Sequence, residues 1–140
     1  MPSEKIQRQY GLWQSPITPI SLARGNSYTD VQWDDGGSLL WLEKRSNRGV
    51  IMVQTSDDPA HRDLNSEFSV RAKVGYGGGD FTVAGGLVYF VEAESGRIFR
   101  QPLNAGSPQP ITPAFGYAAS PVVSPDGKWL MSILMIIKIA

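Results

Sequence analysis

Val74-Gly75-Tyr76-Gly77-Gly78-Gly79-Asp80-Phe81-Thr82-Val83, running on through Ala84-Gly85-Gly86 to Leu87-Val88-Tyr89-Phe90-Val91-Glu92, decides the fold. Three consecutive glycines stabilise neither helix nor strand, because glycine loses the most backbone freedom on folding. They suit a place where the chain bulges, turns sharply or lets another backbone come close. Here they open the first strand of a β-unit, Phe81 to Val83. A turn at Ala84-Gly85-Gly86 leads to a second strand, Leu87 to Glu92. Glu94-Ser95-Gly96 turns into a third, Arg97 to Leu103, and Pro108-Gln109-Pro110-Ile111-Thr112-Pro113 ends the unit.

Similar units flank it. Upstream, Tyr28 to Trp33 alternates, with Val31 and Trp33 on one face, and Asp34-Asp35-Gly36-Gly37 is a hairpin turn signal. Leu39 to Glu43 returns, Ser46-Asn47-Arg48-Gly49 turns again, and Val50 to Thr55 is apolar enough for burial on both faces. Ser56 to Ser69 is polar and turn-rich, with little periodicity. Downstream, Ala119 to Val123 and Lys128 to Ile133 flank the turn Ser124-Pro125-Asp126-Gly127.

The last turn glycines, Gly37, Gly86 and Gly127, stand 49 and 41 residues apart. Trp33, Thr82 and Val123 fall four residues before them; Leu40, Tyr89 and Leu130 fall three after. Small antiparallel meanders recurring at this period are the signature of β-propeller blades. The expected fold is all-β: antiparallel four-stranded meanders forming a partial β-propeller of about two blades plus the start of a third. A single β-sandwich with similar hairpins is the competing architecture. Residues 1–27 read as an N-terminal extension and 28–140 as the incomplete propeller, with units at 28–69, 70–113 and 114–140. A propeller closes with at least about four blades, so this chain is not expected to close a ring alone. After Trp129-Leu130-Met131 the run Ser132-Ile133-Leu134-Met135-Ile136-Ile137-Lys138-Ile139-Ala140 lacks the turn and alternation of the earlier strands. It reads as a broken reading frame, against the alternative of a buried terminal strand.

Thirteen basic residues balance thirteen acidic ones, so no electrostatic argument favours nucleic acid or an anionic membrane as partner. No cysteine is present, which excludes disulfides and cysteine-ligated metals. Met1 to Tyr10 is polar and lacks the apolar core of a secretory signal. A cytoplasmic protein is expected. In the opening segment, Pro16 and Pro19 favour an extended path, and Tyr10, Leu12, Trp13 and Ile17 are too apolar for a free tail.

Tyr10-Gly11-Leu12-Trp13-Gln14-Ser15-Pro16-Ile17-Thr18, Leu40-Trp41-Leu42-Glu43, Val70-Arg71-Ala72-Lys73-Val74-Gly75-Tyr76-Gly77-Gly78-Gly79, Val88-Tyr89-Phe90 and Ser124-Pro125-Asp126-Gly127 occur in that order. The chain, over about residues 10 to 131, resembles the N-terminal region of prolyl oligopeptidase family serine peptidases, in the acylaminoacyl-peptidase or dipeptidyl aminopeptidase-like branch. The resemblance implies a multi-bladed propeller capping an α/β-hydrolase domain and admitting short peptides to its catalytic serine. Two departures stand out. Many members carry His-Glu before the Tyr-Gly-Gly-Gly run, where this chain has Val74-Gly75. No Gly-x-Ser-x-Gly elbow occurs in the 140 residues, and the sole histidine is His61. The chain is therefore expected to be a non-catalytic propeller fragment, with the parent's own hydrolase domain and peptide substrate as partners. The alternative is a stand-alone propeller-like binding module without enzymatic activity.

No catalytic, cofactor or metal residue is assigned. His61, among Asp57, Asp58 and Asp63, is a conceivable metal ligand, but Arg62 opposes a cation and a solvated loop is expected. Gly75 to Gly79 lacks the Gly-Lys-Ser/Thr of a phosphate loop, and Asp80 stands where a dinucleotide fingerprint needs glycine, so a backbone-packing role is expected. Asp34, Asp35 and Asp126 fit turn aspartates accepting backbone N–H groups. Glu92 and Glu94 have the spacing to face a peptide's amino terminus, with a solvated strand end as the default. Trp13, Trp33, Trp41 and Trp129 suggest an aromatic platform; for the last three, inter-sheet packing is expected instead.

Overall fold

The computed structural model describes residues 9, 11, 17–20, 25–73, 79–114, 116–133 and 135–139, with only the backbone for 135–138. Its named elements are strands in three antiparallel sheets. Blade I is β1 (Ser27–Trp33), β2 (Leu39–Arg45), β3 (Arg48–Thr55) and β4 (Asp58–Asp63), side by side in that order. Blade II repeats the order with β5 (Phe81–Ala84), β6 (Leu87–Val91), β7 (Ile98–Pro102) and β8 (Gln109–Pro110). Blade III holds β9 (Val122–Val123), β10 (Trp129–Ser132) and β11 (Met135–Lys138). β1 touches β5 and β5 touches β9. First strands lying next to one another, with each meander running away from them, make the fold a partial β-propeller.

Alternation along the strands builds the two interfaces. Leu40 and Leu42 of β2, with Ile51 and Val53 of β3, face blade II and meet Phe81, Val88, Phe90 and Phe99. On the other face of blade II, Tyr89, Val91 and Ile98 meet Ala118, Ala119 and Leu130. Blade II is thus covered on both sides, which is why β6 reads as an unbroken apolar run.

Side chains of β1 add a polar joint. Asp30 Oδ2 accepts the Asp80 amide at 3.1 Å. Gln32 Nε2 donates to the Phe81 carbonyl at 2.9 Å, while its Oε1 accepts the Val83 amide at 3.3 Å. Asp34 accepts the Gly36 amide of its own turn at 3.0 Å and the Gly86 amide of blade II at 3.1 Å. Three alternate residues therefore take up backbone groups along the edge of β5 that no neighbouring strand pairs.

Several sequence expectations need correction. Residues 58–63 form a strand, not a loop. Being an outer strand exposed on both faces, β4 has no apolar alternation to reveal it, and Pro59 is tolerated at such an edge. The proline segment after Leu103 likewise contributes β8. The terminal run, on whose reading frame a strand pairing has no bearing, pairs as β11 on β10, Trp129 opposite Lys138 through Ser132 opposite Met135. The glycine alignment slips in blade III: Leu40 and Tyr89 each face the following blade, but Leu130 faces back onto blade II. A one-residue slip exchanges the faces of a strand, so Trp129 points outward and is 45% exposed. Trp33 is 68% exposed, and Trp41 is half-buried on the face of blade I turned away from blade II. These tryptophans do not pack between sheets. Trp13, Tyr10 and Leu12 lie outside the described residues; Ile17 is exposed, and Pro19 and Ile20 take helical geometry rather than an extended path. A proline's fixed φ suits a first helical position.

Candidate functional site

The connector from β4 to β5 crosses one end of the blade I–blade II joint and carries the features on which a site can be built. The Leu64 amide donates to the Ile51 carbonyl at 2.8 Å. Asn65, fully buried, then takes the place of a strand partner for β3. Its Oδ1 accepts the Ile51 amide at 2.6 Å, and its Nδ2 donates to the Gly49 and Phe68 carbonyls at 3.2 and 2.6 Å. The Val70 amide donates to the Gly49 carbonyl at 2.9 Å, so close that a Cβ at Gly49 would collide with the Val70 carbonyl oxygen. Arg71 and Ala93 continue the crossing with amide bonds to Val91 and Ser69 at 3.0 and 2.8 Å.

Asp80 closes the neck of the glycine-rich segment. Its Oδ1 accepts the Ala72 amide at 2.5 Å, joining the two ends of a loop of which residues 74–78 lie outside the described residues. Gly79, at φ 65°, accepts the Ser120 amide on its carbonyl at 2.9 Å, and a Cβ there would strike the Ser120 side chain. This is the close backbone approach expected of that glycine.

Asp80 is 2% exposed, and its Oδ2 receives no hydrogen bond. Burial raises its carboxyl pKa, and the neighbouring Asp30 carboxylate adds to the rise against the Ala72 amide and Lys44. The folded chain therefore holds this proton more tightly than the unfolded one. The associated stability is complete below the ordinary value of 3.8 and is lost as pH rises through the raised value. Asp80→Asn removes the titration and lets the amide nitrogen donate to Asp30. By urea unfolding, the variant should gain about 1–2 kcal/mol on the parent at neutral pH, the gap widening from pH 3.8 upward. A gap independent of pH would refute the assignment. Glu43 and Glu92 cancel in this difference. Burial raises both, but hydrogen bonds from Trp41 and Arg45, and from Ser95 and Glu94, hold them below the usual carboxylate range.

Two hollows flank the connector. One, of about 470 Å³, is lined by Glu67, Glu92 and Glu94 with Arg48, Phe68 and Ser69. The other, of about 310 Å³, is lined by Lys44, Arg48 and Arg71 with Ser46, Asn47 and Ser69. Glu92 is buried rather than a solvated strand end: its carboxylate accepts the Glu94 and Ser95 amides and the Ser95 hydroxyl at 2.9, 2.7 and 2.6 Å. It shapes a turn, while Glu94 is exposed.

The other sequence candidates are scattered. His61 lies on exposed β4, its ring 5.7 Å from that of Trp41. Asp63 pairs with Arg45 at 2.9 Å, Asp58 accepts the Ala60 amide at 2.8 Å, and Asp57 bonds Ser56. Among the described residues no group of three histidine or acidic side chains could hold a metal ion. Asp34 acts in its turn and across the joint, Asp35 lines a hollow at the opposite turns, and Asp126 accepts the Ser124 hydroxyl and the Lys128 amide at 2.5 and 3.1 Å. Sequence reasoning missed Asp30, Gln32 and Asn65. For the first two the signal was present: polar residues at every second position through Asp34, opposite in phase to Val31 and Trp33.

The connector over paired meanders gives the partial propeller one elaborated end. No family model matches the chain, and no curated protein matches it. Among solved structures, a puromycin-hydrolyzing peptidase of Mycobacterium tuberculosis superposes with a TM-score of 0.70 at 24% identity, over 91% of this chain and 21% of that one. The chain thus spans about a fifth of the length of that peptidase, and the likeness is one of fold. Among the described residues no helix is long and apolar enough to cross a membrane.

Proposed function

We propose that the chain is a non-catalytic N-terminal propeller segment of a prolyl oligopeptidase-type serine peptidase whose whole form hydrolyses short peptides. The observation that carries this is the extended superposition on a peptidase, with 91% of this chain matched to 21% of that one. It agrees in fold with the ordered motifs from Tyr10 to Gly127 that resemble the family. The blades would cap an α/β-hydrolase domain, and the connector end would stand over the peptide path.

The test is capture from source cells with an antibody against blades I and II, followed by a fluorophosphonate probe for active serines. The expected product is several times longer than this chain and takes the label. An unlabelled species of 15.3 kDa would overturn the proposal in favour of a stand-alone binding module. The chain expressed by itself should take no label.

A further inference from the structure

The hollow beside the Ser46–Asn47 turn is lined, among the described residues, by charged groups of one sign. Lys44 at the end of β2, Arg48 at the start of β3 and Arg71 in the connector line it, and among the described residues no carboxylate does. Among the described residues, Lys44 and Arg71 make no ion pair and no side-chain hydrogen bond with a neighbour. Arg48 is held in place from behind, where Nη2 donates to the Asn65, Ser66 and Phe68 carbonyls. Its remaining donors stay available. Ser69 Oγ accepts the Gly49 amide at 3.1 Å, which leaves its own proton to donate. The Asp80 carboxyl feels the charge of Lys44 but is itself buried beside Asp30. The chain as a whole is neutral, so this is local segregation of charge and not a general basic excess. The adjoining hollow, sharing Arg48 and Ser69, holds the glutamates.

We infer that this hollow is an oxyanion-binding site, taking the carboxylate or phosphate group of a small ligand. Two uncommitted cations and a fixed guanidinium supply charge-assisted hydrogen bonds from three elements around about 310 Å³. That volume admits a terminal group and one or two residues' worth of ligand, not a folded partner. The inference stands on this hollow and does not depend on the peptidase reading.

The experiment is amide-resolved NMR titration of the full chain with inorganic phosphate, with N-acetyl-glycylglycine and with the C-terminal amide of that dipeptide. Phosphate and the free carboxylate should bind saturably, shifting residues 44–49 and 69–71, and the amide should not. Tighter binding of phosphate assigns a phosphate-bearing ligand; tighter binding of the carboxylate assigns a peptide or acid terminus. Lys44→Met and Arg71→Gln should each weaken binding about tenfold, the loss of one charge-assisted hydrogen bond, with the unfolding midpoint unchanged. If Lys44→Met fails to fold, Arg71→Gln at its exposed position carries the test. No saturation by either anion, equal binding of the amide, or indifference to Arg71→Gln overturns the inference.

Discussion

Asn65→Leu should destabilise the chain by about 2–4 kcal/mol, read as a fall in the urea midpoint of the far-ultraviolet circular dichroism transition. Leucine matches the volume of asparagine's site closely enough to fill it. The loss therefore measures hydrogen bonding and not a cavity. The Ile51 amide loses its partner in the buried connector, while the Gly49 and Phe68 carbonyls lose one bond each and keep the Val70 amide and the Arg48 guanidinium. Such an orphan costs about 1–3 kcal/mol, against a typical total stability of about 5–15 kcal/mol. Asn65→Asp is the informative companion: it keeps the acceptor for Ile51 but turns a fully buried carboxylate oxygen toward the Gly49 and Phe68 carbonyls, so at neutral pH it should lose at least as much as leucine and recover as the pH falls and the carboxyl protonates. A midpoint unchanged by Asn65→Leu would show that the connector does not contribute to the cooperative fold.

Phe90→Ala should be comparably severe, about 3–5 kcal/mol. Phe90 is fully buried where blade II meets blade I, its ring 5.8 Å from Phe99 in near-parallel orientation. Phe81, Leu42 and Ile51 share the cluster. The rigid walls come from two separate sheets, so they collapse poorly into the space left, and the cavity term adds to the lost transfer energy. The expected readout is an earlier transition that is also broader, because the blades lose their principal contact. A single transition shifted by less than about 1 kcal/mol, the range of volume-conserving swaps, would mean the joint is held chiefly by the polar side chains of β1.

The parts of this fold legible in the sequence are those where alternation and turn chemistry coincide. β2, β3 and β6 each carry apolar residues at every second position or throughout, bounded by Gly-containing turns, and the repeat of that pattern gives the propeller. β4 and β8 were illegible because an exposed outer strand selects no apolar face, and proline at positions 59 and 110 reads as a breaker. The tryptophans misled for a related reason: apolar character fixes that a residue prefers cover, not which of two faces receives it. Trp129 differs from Leu130 only by the one-residue phase of its turn. At the connector end, the glycines and Asp80 drew attention in sequence, yet their meaning was spatial. That Asp80 meets Ala72 and Asp30 follows from two crossings of the joint, and no local pattern encodes a contact across 50 residues. Lys44 and Arg71 are likewise ordinary surface cations until the connector brings them to one hollow.

The joint made by Asp30, Gln32 and Asp34 has an evolutionary reading. Every group they bind on blade II, from the Asp80 amide to the Gly86 amide, belongs to the main chain. The Asp80 carboxyl beside Asp30 apart, such a joint is blind to the side chains of the blade that follows. Duplication, loss or exchange of a blade would leave its donors and acceptors where they were, whatever residues the newcomer brought. Selection on neighbouring blades is thereby relaxed to their apolar faces, and a lineage can drift far in identity while its blades remain interchangeable parts.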